Sequence, residues 1–192
     1  MHIVLICLAT LTHSSATEAL KERETEIRKL LPAEKAPLAP AVKKQLEKVM
    51  TQMVDLEQMA KSSLGEKAET LAANKRKEFV EVFGHRFATA STEQVELFRT
   101  NQIEYREEQP ASDGTVKVPT AVPTDDDQSE VVYVMKEDKG SWRIEDVVVD
   151  GVSTVNNFKQ AFSRVIAKEG IDALISRLRK ESVGKAPAPA AH

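Results

Sequence analysis

Cysteine is almost absent: Cys7 is the only one in 192 residues. A single thiol makes no intramolecular disulfide and no cysteine-rich metal site. Histidine is nearly as scarce, with only His2, His13, His85 and His192 along the chain. His85 alone stands away from the ends, where it reads as an exposed helix residue, so no metal is expected. An excess of one charge is missing too. Lys and Arg number 27 against 30 Asp and Glu, a net charge of -3, which lacks the basic footprint of a nucleic-acid partner. There is no G-x-S-x-G, no P-loop and no G-x-G-x-x-G. That leaves no nucleophile elbow and no phosphate-cradling loop.

Carboxylates are plentiful but poorly arranged for chemistry. Asp125-Asp126-Asp127 lacks the spacing and the glycine of an EF-hand and reads as a solvated turn. Glu145 and Asp146 are neighbours, and neighbours on a regular strand face opposite sides, which argues against a shared acid–base task. Ser153 follows Gly151 with no base in view, and a helix cap accounts for it. The chain therefore reads as a non-enzyme with no cofactor.

What the chain does have is apolar surface in helical and then in strand period. Residues 2–12, HIVLICLATLT, form a run of signal-peptide length that is too short to span a bilayer. Ser14-Ser15-Ala16 supplies the small residues a signal peptidase reads, which places cleavage after Ala16 and makes residues 1–16 an export signal. No Lys or Arg precedes the run, and the alternative reading is a buried N-terminal strand. Ile6 before Cys7 argues against a lipid anchor there.

Glu18–Leu31 has the composition of a helix stopped by Pro32. Val42–Leu64 resumes helical spacing, with Asp55 as the cap of its second part and Gly65 at its end. From Ala73 a long helix carries Phe79, Phe83 and Phe87 at i, i+4 and i+8, so three rings stack along one face. Gly84 within it permits the close approach of a neighbour. The period then changes to two. Gln102–Gln109, Thr115–Pro123, Glu130–Lys136 and Trp142–Asp150 read as a four-stranded antiparallel meander joined by short turns. In its last strand Trp142 and Ile144 share one parity, while Val147 and Val149 share the other. A bulge near Glu145-Asp146 would bring all four to one face. Ser153 caps the next helix, bearing Phe158 and Phe162, and Asp172 caps a last one. Residues 182–192 form a Pro/Ala tail without globular pattern, and residues 17–181 are expected to be one domain. The order of elements is α+β: a curved antiparallel sheet of about four strands against several helices.

The segment W-R-I-E-D-V-V-V-D-G-V-S-T-V-N-N-F-K-Q-A-F, Trp142–Phe162, resembles the periplasmic phospholipid-binding proteins of the MlaC type, the toluene-tolerance family. Its pattern is Trp, apolar, Asp-Val, apolar, Gly-Val-Ser, then aromatics on a helix. K-E-G-I-D-A-L-I-S-R-L, Lys168–Leu178, is similar to the closing helix of that family. Asp55–Gly65 and Lys75–Phe83 are similar to its central helices. Two departures stand out. Glu66-Lys67 replace an aromatic, and another family aromatic is missing near Ala90-Ser91.

The resemblance implies an NTF2-like cone around an apolar cavity that holds acyl tails. It implies a periplasmic monomer that shuttles phospholipid between an outer-membrane lipoprotein/porin complex and an inner-membrane ABC transporter complex, maintaining outer-membrane lipid asymmetry. The residues expected to line the cavity are Phe79, Phe83, Phe87, Val118, Tyr133, Trp142, Ile144, Val147, Val149, Phe158 and Phe162. Two other readings stay open: a carrier of another apolar lipid such as a hopanoid, and a non-carrier periplasmic interaction module with a filled core.

Overall fold

A computed structural model describes residues 14–32, 36–93, 95, 98, 102–123 and 128–181. The expected export run up to His13, Cys7, the Asp125–Asp127 turn and the tail 182–192 lie outside these residues.

Helix α1, Ala16–Leu30, starts two residues before its sequence-based expectation because Ser15 caps it. The Ser15 hydroxyl accepts from the Glu18 N–H, and the Glu18 carboxylate accepts from the Ser15 N–H, a reciprocal capping box. Helices α2, Pro40–Gln52, and α3, Leu56–Leu64, are separated at Asp55, whose carboxylate accepts from Gln58 N at 2.8 Å. A short helix α4, Lys67–Thr70, follows, unannounced by any cap in the sequence. The long helix α5, Ala73–Glu93, bears the phenylalanine stripe. A Cβ on Gly84 would stand 3.2 Å from Leu56 Cδ1, so the missing side chain lets α3 close on α5, as expected.

The sheet is antiparallel and contains β1 (Glu104–Tyr105), β2 (Gln109–Pro110), β3 (Thr115–Pro123), β4 (Gln128–Asp138), β5 (Ser141–Val149) and β6 (Val152–Ser153). Its order is β1-β3-β4-β5-β6, with β2 also paired to β3. Three long strands thus form the expected meander. The first expected strand, Gln102–Gln109, is broken into β1 and β2. Tyr105 pairs with Thr120 and Gln109 with Lys117, so the outer strand carries one residue more than β3 across the same span. The break lies opposite Pro119, which has no N–H to donate. The β4–β5 hairpin turns through Lys139-Gly140, both at positive φ, as Asp138-Lys139-Gly140 foretold. A second turn of the same kind, Asp150-Gly151, leads into β6.

Helices α6, Thr154–Glu169, and α7, Ile171–Glu181, complete the chain. Helices α3, α5, α6 and α7 pack together, with α3 and α6 also against β5. Their shared core includes Met59, Phe79, Phe83, Val118, Met135 and Phe162. A smaller aliphatic core of Ile27, Leu46 and Val95 lies apart from it, joining α1 and α2 to the end of the long helix.

Candidate functional site

The inner face of the sheet follows from its register. Val116, Met135 and Ile144 form one row across β3, β4 and β5. Val118, Tyr133 and Val147 form the next, and Tyr105, Thr120, Val131 and Val149 a third that reaches β1. Trp142 opposes Glu137 at the far end of the same face. The register shifts between Val134 and Met135, whose partners are Asp146 and Ile144, which leaves Glu145 as the extra residue. This is the expected bulge, and it turns Trp142, Ile144, Val147 and Val149 to one side.

The helices supply rings to meet that face. Phe79 and Phe83 stack with centroids 5.9 Å apart, and Phe158 and Phe162 stack at 5.3 Å. The two pairs meet edge to face: Phe79 with Phe162 at 5.7 Å, Phe83 with Phe158 at 5.5 Å. Phe87 continues the row 6.4 Å beyond Phe83. Such offset and T-shaped contacts favour the ring quadrupoles and hold the cluster as a unit.

Polar groups share this face. The Tyr105 hydroxyl donates to Glu24 Oε2 at 2.8 Å, and Glu24 Oε1 accepts from Arg28 Nε at 2.8 Å. Lys21 Nζ lies 5.2 Å from the Tyr105 ring centroid. Burial, with the nearby Glu24 charge, pushes the Tyr133 phenol up to about 12. Burial and the bond to Glu24 raise Tyr105 as well.

Asp146 has a structural task. Its Oδ1 accepts from Val147 N at 2.8 Å and Val155 N at 3.0 Å, and its Oδ2 accepts from Ser153 Oγ at 2.5 Å. The Ser153 hydroxyl in turn accepts from Asn156 N at 3.0 Å. Asp146 thereby ties the start of α6 to β5. Glu145, the other half of the acidic pair, lines a separate surface hollow of about 220 Å³ with Asp55, Lys136, Glu137, Asp138 and Arg143.

Among the residues expected to line the site, Phe79, Phe83, Val118, Ile144 and Phe162 are buried in the large core. Phe87, Tyr133, Trp142, Val147 and Phe158 are half-buried against it. Val149 shares their face by register but lies outside that cluster. The second hollow, about 380 Å³, lies among Arg106, Lys117, Pro119, Glu130, Val132 and Val148, and none of the expected lining residues borders either hollow. The expected lining left out Met59 and Met135, both fully buried in the same core, although each occurs in an apolar period. It also passed over Arg86, which is 5% exposed on α5. At about 100° per residue it falls between Val82 and Phe83 around the helix, and that angle was legible.

No curated protein matches the chain in sequence. Among solved structures, the chain is similar to a phospholipid-binding protein from Ralstonia solanacearum, solved in complex with a phospholipid. The TM-score is 0.71 at 15% identity, over 87% of this chain and 94% of that one. Likeness at that identity establishes a shared fold. A family model described as MlaC protein matches residues 22–180, which takes in the phenylalanine helix, the whole sheet and both closing helices. The chain belongs to the MlaC family.

Proposed function

We propose that this protein is a periplasmic phospholipid carrier, and that it passes lipid between an outer-membrane complex and an inner-membrane ABC transporter. The observation that carries the reading is the cluster of phenylalanines facing the inner surface of a curved sheet, in a chain of the MlaC family. The Ralstonia solanacearum protein of the same fold holds a phospholipid. The physics suits the task. Each methylene hidden from water contributes about 0.8 kcal/mol, so about thirty methylenes of two tails represent about 25 kcal/mol. A lipid crosses water at a useful rate only with its tails covered. Stacked rings and flexible Met59 and Met135 can part and re-pack around chains of varied shape. Release then requires a partner that opens the fold, since escape into water forfeits the whole of that energy.

The carrier acts by binding, with the inner-face residues as its tail site and no catalytic step. The carrier domain spans residues 17–181, preceded by an export signal. Native mass spectrometry of the detergent-free protein, beside analysis of its organic extract, tests this reading. Mass increments matching diacyl phospholipid are expected. A clean lipid-free mass, unchanged after incubation with phospholipid vesicles, overturns it in favour of an interaction module. A polycyclic extract reassigns the cargo.

A further inference from the structure

Arg86 stands where an apolar residue is expected. Around α5 it lies within about 60° of Phe79, Val82 and Phe83, all buried. A guanidinium offers only N–H donors and no acceptor. The side chain is 5% exposed, and among the described residues neither Nη1 nor Nη2 has a hydrogen-bond partner. Buried charges are ordinarily paired, because an unpaired one keeps the full cost of leaving water. A fork of two unsatisfied N–H edges on the ring-bearing face is therefore shaped for a ligand that brings its own negative oxygens. Two oxygens on one centre fit it bidentately, as in a phosphodiester.

We propose that Arg86 is the anion-binding group of the lipid site: it takes the phosphodiester oxygens of the bound phospholipid while the tails lie along the ring-bearing face. The inference rests on the carrier reading above and sharpens it. An all-apolar pocket selects for tails alone and accepts diacylglycerol as readily as phospholipid. A buried guanidinium selects for the phosphate that every glycerophospholipid carries. It also links stability to loading, since the lipid-free protein bears an unpaired charge that the loaded one does not.

The test compares the wild-type protein with Arg86→Met and Arg86→Lys. Each is stripped of lipid, then incubated with vesicles of dioleoyl phosphatidylglycerol containing one tenth dioleoylglycerol. Bound lipid is read by native mass spectrometry and melting is followed in parallel. The wild type should take up phosphatidylglycerol at least tenfold over its share in the vesicle relative to dioleoylglycerol. Arg86→Met should fall to near parity while its lipid-free melting temperature holds or rises, because a volume-matched apolar side chain removes the unpaired charge. Arg86→Lys, with the charge but without the fork, should fall between them.

Full wild-type selectivity in Arg86→Met overturns the assignment, as does loss of loading and of lipid-free stability together, which marks a structural arginine. Millimolar inorganic phosphate that raises the melting temperature of the wild type and not of Arg86→Met assigns the site to a free anion and overturns the lipid version. Uptake of both lipids without preference by the wild type sinks this inference alone. Uptake of neither sinks it together with the carrier reading.

Discussion

The two halves of β5 share one strand and meet different neighbours. In the first half, Ile144 N–H donates to Met53 O at 2.7 Å and Ile144 O accepts from Asp55 N at 2.9 Å. Arg143 reaches Gln52 O, and Trp142 Nε1 donates to Ser14 O at 2.7 Å. The link between α2 and α3 thus runs beside this half, bridged in parallel at Val54 and Ile144, and Ile144 is 5% exposed. In the second half Val147, Val148 and Val149 form the more continuous apolar run, yet all three remain half-buried. Depth along this strand follows what lies beside it rather than how apolar it is.

Truncating each half in turn sharpens that contrast. Ile144→Ala should cost about 3 kcal/mol of unfolding free energy, and Val149→Ala about 1, in chemical denaturation. Equal losses would mean that the flanking segment seals nothing. Breaking the tie from β5 to α6 comes next. Asp146→Ala removes an acceptor from Val147 N, Val155 N and Ser153 Oγ. A loss of about 2 kcal/mol is expected, with hydrogen exchange rising at the start of α6. An unchanged exchange pattern there would remove the clamp from Asp146.

Residues at the proposed processing point also serve the sealed half. Ser15 caps α1, Ala16 is fully buried, and Ser14 O accepts from Trp142. A protein beginning at Thr17 should be less stable than one beginning at Ser14 by about 1 kcal/mol. Equal melting curves would show that these contacts contribute nothing and leave cleavage after Ala16 without structural cost. The smallest effect concerns alkali. Tyr133 on the second row rises from an ordinary 10.0 to about 12. The folded state keeps its proton longer than the unfolded one, so this stabilisation is complete below about pH 10 and lost as pH climbs towards 12. Tyr133→Phe should flatten that part of the stability profile, and an unaltered slope would assign the alkaline loss elsewhere.

Local rules made much of this legible. The parity clash between Trp142-Ile144 and Val147-Val149 announced the bulge, because one buried face admits only one parity. Asp55, Gly65 and Ser153 marked helix ends by their own chemistry. The three rings at every fourth position of α5 announced a shared face, and they do form one row, joined by Phe158 and Phe162 of α6. What stayed hidden depends on partners distant in sequence. Pro119 interrupts a strand other than its own. Helix α4 carries no side-chain cap, and its four residues hold no period to read. The structural task of Asp146 stayed hidden because two of its three donors, Ser153 Oγ and Val155 N, become neighbours only when the chain turns back at Asp150-Gly151. Arg86 was passed over, although its angle on the helix put it among buried neighbours.

The extra residue at Glu145 works like a shift of reading frame. A strand is read in twos, one letter inward and one outward, and from Trp142 to Ile144 the inward letters fall on even numbers. After Glu145 they fall on odd ones. Removing that single residue would leave every later letter of β5 in place and reverse its meaning: Val148 would turn inward, and Val147 and Val149 would face the water. The length of this strand is therefore as much a part of its message as its composition, and a lineage can exchange the valines for other apolar residues far more readily than it can lose one position here.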